Sequence, residues 1–146
     1  MTDSTANRTS LTLDSVLPSV EIVEETAERF ALDAGFDEDT SSQIAMVSRE
    51  AAVNAIVHGN KYDPAKHVTA SFEITDKALT IQIADEGPGM DPDAIPDPLA
   101  PENILRTSGR GIFLMRAIVD EVHFRMLNPG TEIKLVKLRV QKEIHQ

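Results

Sequence analysis

Apolar and polar positions alternate along this chain with two different periods, and the switches between them divide it into elements. Val20, Val23, Ala27, Phe30, Ala31 and Ala34 recur at three- and four-residue steps, the spacing of a helix with one buried face, and Gly35 follows as its stop signal. A second helix is predicted from about Thr40, where Thr40-Ser41-Ser42-Gln43 has the form of a capping box. It carries Ile44, Val47, Ala51, Ala55 and Ile56 and ends at His58, before Gly59-Asn60. Apolar residues surround most of it, so it belongs between a sheet and another helix.

The period then changes to two. Val68, Ala70, Phe72 and Ile74 alternate with polar residues, and so do Leu79, Ile81 and Ile83 after a turn at Asp76-Lys77. A third helix is predicted from Ile112 to about Glu121. A closing hairpin follows, roughly Val122 to Leu127 and Glu132 to Val140, turned by Asn128-Pro129-Gly130. Residues 1–9 read as a disordered tail, and Ser10 to Leu13 as a short edge strand. The remainder, 10–146, makes one domain of α+β class. We expect a two-layer sandwich in which a mainly antiparallel mixed sheet carries three main helices on one face.

Between the second strand of the first pair and the third helix lies an aperiodic stretch. Residues 88–101 hold five of the chain's eight prolines. A long structureless segment in a compact domain usually belongs to a lid or binding loop, so 88–108 is the candidate lid.

Composition narrows the function. Twenty-four acidic residues against fourteen basic ones give a formal charge of −10, which disfavours direct nucleic-acid binding. No apolar run approaches the roughly 20 residues of a membrane span. Without cysteine there are no disulfides or thiolate metal sites, in keeping with a cytoplasmic protein. An acidic chain that binds a polyphosphate needs backbone amides, a metal ion and a few placed cations to offset its own charge.

Residues of those types are present. Asp85-Glu86-Gly87-Pro88-Gly89 leaves a strand, and Ser108-Gly109-Arg110-Gly111 opens a helix, whose exposed amides and dipole suit a phosphate. Glu50, Asn54 and His58 recur every fourth residue as a polar stripe on an otherwise apolar helix. Asn54 offers a neutral oxygen of the kind that hard cations such as Mg²⁺ accept. Glu50, one turn earlier, is placed to take a proton from a hydroxyl or water. Alone, each glycine pair is an ordinary turn and the Glu50–Asn54 pair an ordinary solvated face.

In this order and spacing, the three motifs resemble the ATP-binding fold of the gyrase, histidine kinase and MutL superfamily, the Bergerat fold. The helix motif is Glu50-Ala51-Ala52-Val53-Asn54-Ala55-Ile56-Val57-His58-Gly59, and the base-binding motif is Asp85-Glu86-Gly87-Pro88-Gly89. The phosphate loop is Arg106-Thr107-Ser108-Gly109-Arg110-Gly111, and Gly130-Thr131 matches as well. The phrase around Asn54, together with Asp120-Glu121-Val122, is similar to the anti-sigma-factor serine/threonine kinases.

The resemblance implies an enzyme that binds ATP with Mg²⁺ and phosphorylates an anti-sigma-factor antagonist of STAS type on Ser or Thr. It also implies sequestration of a sigma factor. Two alternatives remain at this stage: a non-catalytic ATP-binding regulatory module, and the catalytic half of a split histidine kinase. Because such relatives are commonly dimers, a homodimer is a further expectation.

Carried over by position, the resemblance makes Asn54 the metal ligand and Glu50 the residue that orients or deprotonates the substrate hydroxyl. Asp85 would accept from the adenine amino group, with Gly87 and Gly89 letting the chain turn under the base. Arg106 would neutralise the γ-phosphate, and the amides from Gly109 to Gly111 would hold the triphosphate. His58, Met90, Thr107, Ser108, Arg110, Ile112 and Thr131 complete the implied nucleotide lining.

Overall fold

The computed structural model describes residues 7–88 and 111–139. Its elements are β1 (Arg8–Asp14), α1 (Leu17–Asp33), α2 (Glu38–Val53), a π-helical turn (Asn54–Gly59), β2 (His67–Ile74), β3 (Ala78–Ala84), α3 (Gly111–Ile118), β4 (Glu121–Met126) and β5 (Thr131–Leu138). The strands form one sheet in the order β1-β2-β3-β5-β4, and every pairing is antiparallel, where the sequence reading allowed a mixed sheet.

The register explains why helices cover one face only. Leu11, Ala70, Ile83, Ile133 and Phe124 face one another across all five strands, and all are buried or half-buried. One position along lies the row Ser10, Ser71, Gln82, Lys134 and His123, which stays at least partly exposed. Successive side chains point to opposite faces, so one row joins the core and the next meets solvent. The core lies between the apolar face and the helices. Phe30 of α1 meets Phe72 of β2 with ring centroids 5.5 Å apart, and α2 packs against both α1 and α3.

The ends of the elements depart from expectation in three places. β1 begins at Arg8, which pairs with Glu73, so the first strand takes up two residues assigned to the tail. α2 begins at Glu38 and its cap is Asp37, whose Oδ1 accepts from the Thr40 amide at 2.7 Å. The Thr40 capping box is therefore not used, because a carboxylate three residues earlier already satisfies that amide. α3 ends at Ile118, and Glu121 opens β4, where it pairs with Val136. The turn between them is fixed from β5: Asp120 Oδ2 accepts from the Leu138 amide at 2.6 Å, and the Lys137 ammonium donates to the Ile118 carbonyl at 2.7 Å. At the end of α1, Gly35 donates to Leu32 and Phe36 to Ala31, the paired bonds of a Schellman cap, as the glycine stop predicted.

The largest local departure is the π-turn that ends α2. The Asn60 amide donates to the Ala55 carbonyl at 2.8 Å, an i→i+5 bond in place of i→i+4. Such turns cluster at functional positions in helices.

Candidate functional site

The end of β3, the end of α2 and the start of β5 meet at Asp85. Its side chain is nearly buried, at 8 % exposure, and Oδ1 accepts from the Gly87 amide at 3.0 Å and the Thr131 amide at 3.2 Å. The Asp85 amide in turn donates to the Thr131 carbonyl at 2.9 Å. Gly130 and Thr131 thus enter the site through backbone contacts that fix one carboxylate oxygen. Among the described residues the other oxygen, Oδ2, receives no hydrogen bond and lies over Gly59.

Three glycines leave the room for this arrangement. A Cβ on Gly59 would overlap the Asp85 carboxylate, and one on Gly87 would overlap the Gly59 carbonyl. Gly130 sits at φ 111°, and a Cβ there would press into the Asp85 carbonyl. Burial raises the Asp85 pKa above its ordinary value, opposed by the Gly87 and Thr131 amides and by the charge of Lys66.

The second feature is Asn54, the first residue of the π-turn. Its Oδ1 is sealed from solvent and has no hydrogen-bond partner, the one such side-chain atom among the described residues. A buried carbonyl oxygen without a donor costs about 1–3 kcal/mol, so the position is unfavourable unless something else fills the vacant coordination. A magnesium ion fits that need, because it takes one or two protein oxygens and draws the rest from phosphates and water. Among the described residues no group of three His, Asp or Glu side chains could bind a metal by itself. A metal at Asn54 would therefore depend on phosphate oxygens.

Glu50 lies one turn earlier on α2 and is half-buried. His58, in contrast, is exposed. The i→i+5 turn changes the rotation per residue after Asn54, so the polar stripe does not continue to His58 at α-helical spacing. Ile112, on the first turn of α3, is buried, and Gly111 begins that helix. Gly89, Met90, Arg106, Thr107, Ser108, Gly109 and Arg110, together with nearly all of the candidate lid, lie outside the described residues.

A cavity of about 540 Å³ opens beside the Asp85 corner, lined by Gly59, Lys61, Tyr62, Lys66 and Pro88 among others. Lys61 and Tyr62 hold left-handed backbone, at φ 53° and 59°, a conformation that costs a non-glycine residue about 1–3 kcal/mol. The Tyr62 amide donates to the Ile56 carbonyl and the Asp63 amide to the Asn60 carbonyl, both at 3.0 Å, which keeps this wall in place.

Comparison with known proteins gives a consistent result. Residues 15–137 match the model of the histidine kinase-like ATPase domain. The chain is 36% identical to an anti-sigma F factor of Anoxybacillus flavithermus over 111 residues, 73% of each chain. It is 34% identical to the serine-protein kinase RsbW of Staphylococcus epidermidis over 117 residues, 75% of this chain and 71% of that one. Among solved structures, the RsbU and RsbW domains of a Mycobacterium tuberculosis protein superpose with a TM-score of 0.61 at 18% identity, covering 90% of this chain and 32% of theirs. The catalytic domain of histidine kinase ThkA gives 0.55 at 13% identity, covering 89% and 97%. These two likenesses show the fold. With a family match across most of its length, the chain belongs to the histidine kinase-like ATPase family, alongside the anti-sigma F factors and RsbW serine-protein kinases.

Proposed function

We propose that this protein is an anti-sigma-factor kinase that binds ATP with Mg²⁺, transfers the γ-phosphoryl group to a serine or threonine of an antagonist protein, and holds a sigma factor. Membership in an ATPase family supports the nucleotide, and relatives named serine-protein kinase and anti-sigma F factor support a protein serine as substrate and a sigma factor as partner. The observation that carries the reading is the buried, partnerless Asn54 oxygen on the helix that also bears Glu50.

In this reading Asp85 accepts a hydrogen bond from the adenine amino group through Oδ2, while its Oδ1 stays committed to the Gly87 and Thr131 amides. Gly59 and Gly87 let the backbone close on that carboxylate and hold it in place. Asn54 offers its oxygen to the metal, which when bound offsets phosphate charge and orients the γ-phosphoryl group. Glu50 accepts the proton of the attacking hydroxyl or holds it in line. The Gly109 to Gly111 amides and Arg106 would hold and neutralise the triphosphate.

The test is transfer from γ-labelled ATP to candidate antagonist proteins in the presence of Mg²⁺. Glu50→Gln is expected to lower the transfer rate by about 10²- to 10⁴-fold, the usual worth of a general base, while ATP affinity stays near wild type. If partner capture and all labelling persist unchanged in that variant, the protein is a nucleotide-dependent binding module instead. An acid-labile phosphohistidine product would identify the split histidine kinase.

A further inference from the structure

Asn60 follows the π-turn, is 1 % exposed, and appears in the sequence only as part of a helix stop. In the fold its amide joins three segments. Nδ2 donates to Ser15 Oγ at 2.9 Å, just beyond β1, and to the His67 carbonyl at 3.1 Å, where β2 begins. Oδ1 accepts from the Glu86 amide at 2.8 Å, just beyond β3. The Asn60 backbone amide meanwhile closes the π-turn on Ala55.

This arrangement is specific to asparagine. The Ser15 hydroxyl proton is already given to the Lys66 carbonyl at 2.6 Å, so Ser15 can only accept from residue 60. Position 60 therefore needs two donors and one acceptor on a short planar fork. Aspartate supplies the acceptor and no donor, leucine supplies neither, and glutamine carries an extra methylene that moves the fork off its three partners.

The location matters more than the count of bonds. Glu86 is the residue after Asp85, so the bond to its amide fixes the peptide on which the Asp85 side chain turns. Gly59 is the residue before Asn60, and its missing Cβ is what admits the Asp85 carboxylate. One buried side chain thus fastens the turn that begins at Asn54 to the strand end that bears Asp85. We propose that Asn60 is a positioning residue for nucleotide recognition, setting the direction of the Asp85 carboxylate relative to the Asn54 turn and so the selectivity for adenine. The proposal rests on Asp85 being the acceptor for the adenine amino group.

The experiment measures binding of ADP and of inosine diphosphate, each with Mg²⁺, to the full chain by calorimetry, well below the melting transition of each variant. Inosine carries a carbonyl where adenine carries the amino donor, so the ratio of the two affinities reports how the carboxylate is aimed. Asn60→Asp is expected to weaken ADP by about tenfold or more, the scale of a small misplacement in a preorganised site, and to change inosine diphosphate far less, so the ratio collapses. Ser15→Ala, which removes one of the two acceptors of Nδ2, is expected to shift the ratio the same way by about threefold.

A role in stability alone would lower the melting temperature and leave the ratio intact, and a folded Asn60→Asp with the wild-type ratio would overturn the proposal. If Asn60→Asp does not fold, an unchanged ratio in Ser15→Ala overturns it equally. Asp85→Asn separates the two levels. If that variant keeps the wild-type ratio, the adenine reading itself fails; if it loses the ratio while folded Asn60→Asp keeps it, only the role of Asn60 fails.

Discussion

The Asp85 corner and the Asn54 turn are adjacent in the fold and satisfied in opposite ways. Asp85 Oδ1 has two backbone donors, three glycines make room around the residue, and a buried amide clamps the following peptide. Asn54 Oδ1 is hidden from water and has no partner among the described residues. A carboxylate held through one oxygen, with the other aimed over a glycine, is a recognition element set in place by the fold itself. A sealed oxygen without a donor is an unfinished one, whose cost is removed only when a ligand completes it. In the proposed reading, the half of the site that would read the base is therefore preorganised, and the half that would bind the metal stores the requirement for its ligand.

This contrast predicts a different loss on removing each group, and the larger effect belongs to Asn54. Asn54→Leu replaces an unsatisfied acceptor by an apolar side chain of similar size. The nucleotide-free protein is expected to melt at the same temperature or higher. Magnesium-dependent ATP affinity is expected to fall by about 10²-fold or more, since a metal ion on a phosphate is worth several kcal/mol. Thermal melting with and without Mg-ATP reads both quantities in one series. A variant that melts lower while keeping its magnesium dependence would reverse the assignment of Asn54.

The next effect is at Asp85. Asp85→Asn keeps an oxygen for the Gly87 and Thr131 amides and changes only the group over Gly59. ADP affinity is expected to drop about ten- to a hundredfold, the worth of a hydrogen bond to a charged group. Stability should not follow affinity. Burial holds the Asp85 pKa up, and a carboxyl raised on folding contributes stability that is present below its unfolded pKa and lost as pH rises through its folded one. Above that folded pKa the ionised Asp85 thus costs stability, and there the Asn variant should be at least as stable as wild type. That advantage should shrink as pH falls through the folded pKa, which lies above the ordinary aspartate value of 3.8, and be gone below 3.8, where both side chains are neutral. Denaturant melts at several pH values check the sign. An advantage that grows toward low pH would contradict the raised pKa.

These two halves were not equally legible in the sequence. The strands announced themselves by strict alternation at Val68–Ile74 and Leu79–Ile83, and α1 by its helical spacing, because burial against one partner imposes one period. Asp85 and its glycines stood out because close packing of backbone on backbone leaves a residue-type signature. The helix start at Asp37 was missed because Asp37-Glu38-Asp39-Thr40 offers several competent caps within four residues. The π-turn has no local signature, since an i→i+5 bond is set by what the turn must reach. Asn60 was passed over for the same reason. Its partners lie 45, 7 and 26 residues away, and Gly-Asn after a helix is the commonest of stop signals. Groups whose role depends on distant partners are visible only once the chain has folded.

The smallest effect tests whether the corner is tuned as well as built. The Lys66 charge draws the Asp85 pKa down against the pull of burial. Both backbone groups of Lys66 are engaged, its carbonyl by Ser15 and its amide by Asp63, and neither bond depends on the side chain. Lys66→Met therefore keeps the stem and the loop and removes only the charge. The Asp85 titration midpoint, followed by carboxyl carbon NMR, is expected to move upward. At pH 7 ADP affinity should change by less than about twofold, as expected for a half-exposed cation screened by solvent. As pH falls the variant should lose affinity before wild type does, because its Asp85 takes up a proton at a higher pH. Raising the salt concentration on the wild-type protein should reproduce part of the shift and leave the variant unmoved. A midpoint that stays fixed or moves downward would mean that Asp85 is tuned by its backbone donors and its burial alone.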